Sequence, residues 1–118
     1  MNYTNIAKSQ FKDRISGDLL SVDIPEWKGD DGEAVKIYFK AATNFKIQGQ
    51  ILRLVNEGKP DEAIIMTFIL RSLDQDGKQI WRKIHMTEIM NEFDPDIVSR
   101  VVNAMNEIEP DEGEALKS

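Results

Sequence analysis

The sequence predicts an α+β domain, mostly helical, with three to four helices and an N-terminal β-hairpin. Three observations carry this expectation. Apolar residues alternate with a period of two in two short runs before residue 40. After residue 43 the period lengthens to about 3.6, and glycine or proline marks the changeovers. A chain of 118 residues has the length of one domain and can bury roughly two-thirds of its unfolded surface, enough for a core without cross-links.

Residues 1–17 are polar, with isolated apolar side chains at Tyr3, Ile6, Phe11 and Ile15. They are expected to form a loosely ordered segment with a short helix around Ser9–Ile15, closed by Gly17. From Leu19 to Ile24, the residues Leu20, Val22 and Ile24 alternate with Ser21 and Asp23, the pattern of a half-buried strand. Pro25 is expected to end it, having no N–H for a ladder. Residues 28–32, Lys-Gly-Asp-Asp-Gly, read as a turn. Ala34–Phe39 resumes the alternation with Val35, Ile37 and Phe39. A lone hairpin is marginal in water, so this one must pack on helices or pair with another copy.

From about Thr43 to Glu57, Ile47, Ile51, Leu54 and Val55 follow a helical repeat, and Phe45 and Leu52 widen the stripe. Gly58 suits a helix C-terminus. Pro60 suits the first turn of the next helix, whose positive end favours Asp61 and Glu62. That helix, about residues 61–73, is apolar nearly all round. It is therefore central to the core or shared with a partner. Residues 74–78, Asp-Gln-Asp-Gly-Lys, form a second turn, followed by Ile80 and Trp81. A short helix is expected over Thr87–Asn91. Asp94 is a clear N-cap, followed by Pro95 at the first helical position and Asp96 in the first turn. Ile97, Val101, Met105 and Ile108 share one face of that last helix, which Pro110 ends. Residues 109–118 are acidic and are expected to be a disordered tail after a single domain at 18–108.

The composition excludes several functions. A net charge of -6 repels phosphate backbones, so nucleic acid is not an expected partner. The chain has no cysteine, which removes disulfides and thiolate metal sites and suits an intracellular life. The first residues lack the apolar core of a signal peptide, and the longest apolar stretch, Ala63–Leu70, is too short to cross a bilayer. A soluble, cytoplasmic protein with no membrane association is expected.

Catalysis is not expected either. The single histidine, His85, has no nucleophile elbow to serve. Read as a calcium loop with Gly77 at position six, residues 72–83 would place Lys83 where a bidentate carboxylate is required. The glycines at 29 and 32 lie between acids that would repel phosphate, and the carboxylate clusters fall in turns or in the tail. No enzyme activity, cofactor or metal is therefore expected.

What remains is apolar. Met66, Met86, Met90 and Met105 are soft, adaptable side chains of the kind that promiscuous surfaces use. Trp27 and Trp81 each adjoin a turn. Most of these side chains belong in a core, but as a set they leave apolar surface for copies of the chain or for partners. The residues expected to bind partners, chosen by apolarity, are Trp27, Ile37, Phe39, Met66, Phe68 and Trp81. The hairpin edges and the helix at 61–73 are expected to contribute to association.

Two stretches resemble the phage tail assembly chaperone family. Residues 22–27, Val-Asp-Ile-Pro-Glu-Trp, followed by the strand at 34–39, are similar to the family's opening "Val-x-Val/Ile-Pro-Glu-Trp" strand and its successor. Residues 74–81, ending at Trp81, are similar to its "Asp-x-Asp-Gly-Lys-x-x-aromatic" turn. The order and spacing cover about residues 18–108. The chain departs from the pattern at Lys28, where glycine is frequent, and at Trp81, where phenylalanine is commoner. The resemblance implies a cytoplasmic chaperone of a long-tailed phage or prophage. Such a protein binds the tape measure protein and the tail tube protein, keeps them soluble, promotes tube assembly, self-associates and leaves before the virion is finished. The competing reading is a structural head–tail connector or minor tail subunit.

Overall fold

A computed structural model of the chain describes residues 2–15, 17 and 19–107. The expected acidic tail at 109–118, and Ile108 at the expected end of the last helix, lie outside the described residues. The elements in order are α1 (Tyr3–Ile15), β1 (Leu20–Lys28), β2 (Ala34–Phe39), α2 (Phe45–Asn56), α3 (Pro60–Arg71), α4 (Met86–Glu92) and α5 (Pro95–Glu107), with a 3-10 turn at Lys83–His85 before α4. The α+β architecture with an N-terminal hairpin is the one the periodicities predict.

The N-terminal helix is longer than the sequence suggested. It starts at Tyr3 because Asn2 caps it: Asn2 Oδ1 accepts from the amide of Asn5 at 3.1 Å, and the Asn2 carbonyl from that of Ile6 at 3.2 Å. Of its side chains described, only Phe11 is even half-buried.

β1 and β2 pair antiparallel, with Leu20 opposite Phe39, Val22 opposite Ile37 and Ile24 opposite Val35. The alternation thus puts one apolar face on the helices. Pro25 does not end β1. The strand carries on to Lys28 through an irregularity between Ile24 and Lys28, and a bulge of this kind is where a sheet tolerates a missing N–H. Leu73 acts as a one-residue third strand, exchanging both backbone hydrogen bonds with Tyr38 at 2.7 and 2.9 Å. In the turn that follows, Asp74 accepts the amides of Asp76 and Lys78 at 2.9 and 3.0 Å, and Gly77 takes a φ of 82°.

The helix ends follow the local sequence. Asn44 caps α2 by accepting the amide of Ile47 at 2.9 Å. Gly58, at φ 75°, closes it with the amides of Gly58 and Lys59 bonded to the carbonyls of Val55 and Leu54. Asp94 caps α5 through the amide of Asp96 at 2.9 Å. The apolar character of α3 is used inside the domain. It packs against α2, α4 and α5, burying Ala63, Ile65, Phe68 and Ile69. Five side chains of α5, from Ile97 to Met105, complete a core that the sheet closes with Ile24, Ile37 and Phe39.

Candidate partner-binding surface

Four aromatic rings meet where β1, α3, α4 and the second turn converge. Phe68 of α3 stacks on Trp81 with centroids 4.5 Å apart. Trp27, from the irregular end of β1, meets Trp81 edge-on at 6.4 Å. Phe93, between α4 and α5, closes the group at 5.7 Å from Trp27 and 5.8 Å from Trp81. Edge-to-face and stacked pairs at these spacings each add about 0.5–1.5 kcal/mol beyond the area they bury. Phe68 is fully buried, whereas Trp27, Trp81 and Phe93 are half-buried and line an open groove with Glu92 and Asp94. A second groove on the other side of Phe93 is lined by Asp61, Ile64, Met90 and Val98.

The six residues chosen from the sequence divide accordingly. Trp27 and Trp81 come together at the surface. Met66 is half-buried on α3. Ile37, Phe39 and Phe68 are core residues, exposed by no more than 1 %, and a partner cannot touch them in the folded domain. The alternation that singled out Ile37 and Phe39 is the pattern of a strand facing a core, and here the core is the chain's own. Phe93 joins them without a distinctive mark in the sequence; its only local signal is an aromatic placed just before the Asp-Pro cap of α5.

A more exposed apolar surface lies on α2, which buries no side chain fully. Ile47, Ile51 and Leu54 are half-buried on the side that meets α3. Phe45, Leu52 and Val55 lie roughly a third of a turn further round the helix and are 95, 58 and 49 % exposed. The sequence puts Val55 in the helical repeat and has Phe45 and Leu52 widen its stripe; the structure splits that stripe into a packed half and a bare half. A groove of about 440 Å³ separates Phe45 from Ala7, Lys8 and Phe11 of α1.

Charge is distributed unevenly. α1 and α2 hold five of the fifteen basic residues and one of the twenty-one acidic ones. Residues 86–107 hold five acids against one base, Arg100, and Arg100 is paired with Glu26. Its hydrogen bonds, with those of the Glu26 backbone, hold the Glu26 carboxyl down at about 2, and the same pairing raises Arg100. His85 has a local role, its Nδ1 accepting the Arg82 amide at 2.9 Å to brace the 3-10 turn. Among the described residues no group of three or more His, Asp or Glu is placed to hold a metal ion, and no helix is long and apolar enough to cross a membrane.

The fold is similar to that of the bacteriophage HK97 tail assembly chaperone. The two superpose with a TM-score of 0.61 over 86 % of this chain and 91 % of that one, at 17 % sequence identity. The likeness therefore takes in nearly the whole of both chains and is one of fold. No family model matches the sequence, and no curated protein matches it.

Proposed function

We propose that the chain is a tail assembly chaperone of a long-tailed phage or prophage, acting in the host cytoplasm. It binds the tape measure protein and the tail tube protein, keeps them soluble, promotes assembly of the tube, self-associates and leaves before the virion is complete. The observation that carries this reading is the likeness of fold to the HK97 tail assembly chaperone across most of both chains. The surface is consistent with it. A tape measure exposes long apolar stripes until the tube covers them. A folded protein with bare apolar side chains on α2 and half-buried rings at Trp27 and Trp81 can shield such stripes without refolding.

Co-expression of the tagged chain with the tape measure protein and, separately, with the tube protein of the same genome tests the proposal. The expected result is a soluble complex with at least one of them, and no copy of the chain in purified virions by mass spectrometry. Failure to bind either would refute it, and retention in the virion would favour a connector or minor tail subunit.

A further inference from the structure

We propose that the groove between Trp27, Trp81 and Phe93 receives an arginine of a partner protein, set among apolar side chains, and that the rings and the carboxylates beside them select it together. This deepens the reading above by naming the chemistry of the bound segment. It rests on that reading only for which protein supplies the segment.

The groove has the parts that such a guest needs. It measures about 560 Å³ and is open to solvent, so it admits a guanidinium together with apolar neighbours. Trp27, Trp81 and Phe93 form its wall, joined by Ile97. The three rings meet one another edge-on, at interplanar angles of 75, 85 and 74°, so none turns without disturbing the other two. Phe68 covers one face of Trp81, and the groove takes what that stack leaves open. The face of an aromatic ring carries its negative charge density and attracts a cation.

Every charged side chain that lines the groove is an acid: Glu26, Glu92 and Asp94. Glu26 is matched by Arg100, which itself lines a separate hollow with Asp96 and Glu107. Asp94 caps α5. Glu92 makes no side-chain hydrogen bond or ion pair among the described residues. It is also the last residue of α4, where the helix dipole disfavours an acid, so the local fold gains nothing from its charge. Lys28 and Arg82 follow the two tryptophans in sequence but do not line the groove.

A guanidinium answers both demands at once. It is weakly hydrated, its plane stacks on aromatic rings, and its N–H groups fork onto carboxylates. An ammonium holds its water more tightly, and a wholly apolar segment would cover the rim acids without pairing them. An acidic segment is repelled.

Trp27 and Trp81 are the only tryptophans of the chain, so the tryptophan emission of the full-length protein reports on this groove directly. The probe is a synthetic peptide of leucine, alanine and arginine, titrated beside a twin in which citrulline replaces arginine, keeping the shape and losing the charge. The arginine peptide is expected to shift the emission, and the twin to bind roughly tenfold or more weakly, with added salt narrowing the difference. Glu92→Lys, at an exposed position, should keep the wild-type circular dichroism and weaken the arginine peptide by roughly the same factor. The same charge change at Glu57, exposed at the end of α2, should leave binding close to wild type. Equal affinity for the two peptides, an unmoved emission, or equal losses from the Glu92 and Glu57 variants would each overturn the proposal. If the arginine peptide fails while the tape measure protein is still captured, the proposal falls and the chaperone reading stands. If the peptide binds while neither tail protein does, the preference of the groove stands and the chaperone reading falls.

Discussion

Arg100 grips Glu26 with both guanidinium nitrogens, Nη1 and Nη2 donating to Oε2 and Oε1 at 2.7 and 2.6 Å, and so ties the irregular end of β1 to α5. The pair spans 74 residues of sequence and lies in the open, with its side chains 47 and 46 % exposed. Two-pronged geometry is the form in which an exposed ion pair contributes measurably.

Its pH signature has a definite sign. The Glu26 carboxyl titrates near 2 in the folded chain against an ordinary value of 4.5, so folding favours the ionised form. The contribution is complete above about pH 4.5, falls as the pH drops, and is gone near pH 2. Melting curves of wild type and Glu26→Gln should therefore differ by a small, constant amount at neutral pH and converge toward pH 2. High salt should narrow the gap at neutral pH.

Phe68 is the ring on which the aromatic group rests. Phe68→Ala should cost about 3–5 kcal/mol in urea denaturation, the usual loss for a large buried ring. Trp81 loses its stacking partner in that variant, so the native tryptophan emission should also shift.

Two glycines should respond to alanine with opposite signs. Gly49 lies within α2 in open space, so Gly49→Ala should stabilise the fold by about 1 kcal/mol through helix propensity. Gly58 sits at a φ of 75°, where a Cβ is strained, so Gly58→Ala should destabilise it by about 1–2 kcal/mol. Denaturant midpoints at an unchanged slope would check both.

The caps are the fourth stability test. Asn44→Ala and Asp94→Ala should each cost about 1 kcal/mol, because each leaves a helix-end amide without its side-chain acceptor. The two positions belong to different helices with no shared partner, so the double variant should lose the sum.

Local rules made most of the fold legible in the sequence. Alternation marked Leu20, Val22 and Ile24 and then Val35, Ile37 and Phe39 as the apolar sides of two hairpin strands, and Gly58, Pro60 and Asp94 fixed three helix boundaries to within a residue or two. The misses have physical causes. Pro25 argued for a strand end, but an irregular stretch absorbs the absent N–H. α1 has little apolar periodicity, so the sequence suggests only its second half, Ser9–Ile15, and the Asn2 cap that starts it at Tyr3 emerges in the structure. The surface is less legible, because apolarity does not say which way a side chain faces. Ile37, Phe39 and Phe68 were drawn into the core, while Phe45 and Val55, taken as part of a helix stripe, stand in solvent. The meeting of Trp27, Trp81 and Phe93 depends on chain segments more than fifty residues apart, and no local pattern encodes it.

The sparse anchoring of α1 has a calorimetric consequence. Denaturant slopes and the heat capacity of unfolding both scale with the surface that a chain releases when it unfolds. A helix of whose described side chains Phe11 alone is half-buried releases little, and a 13-residue helix contributes scant cooperativity by itself. A chain shortened to begin near Leu19 should then unfold with almost the same slope and heat capacity as the full one. Amide exchange along α1 should meanwhile run at its own rate, uncoupled from the slow exchange of α3 and α5. In the energetics of unfolding, the cooperative unit is expected to begin at β1.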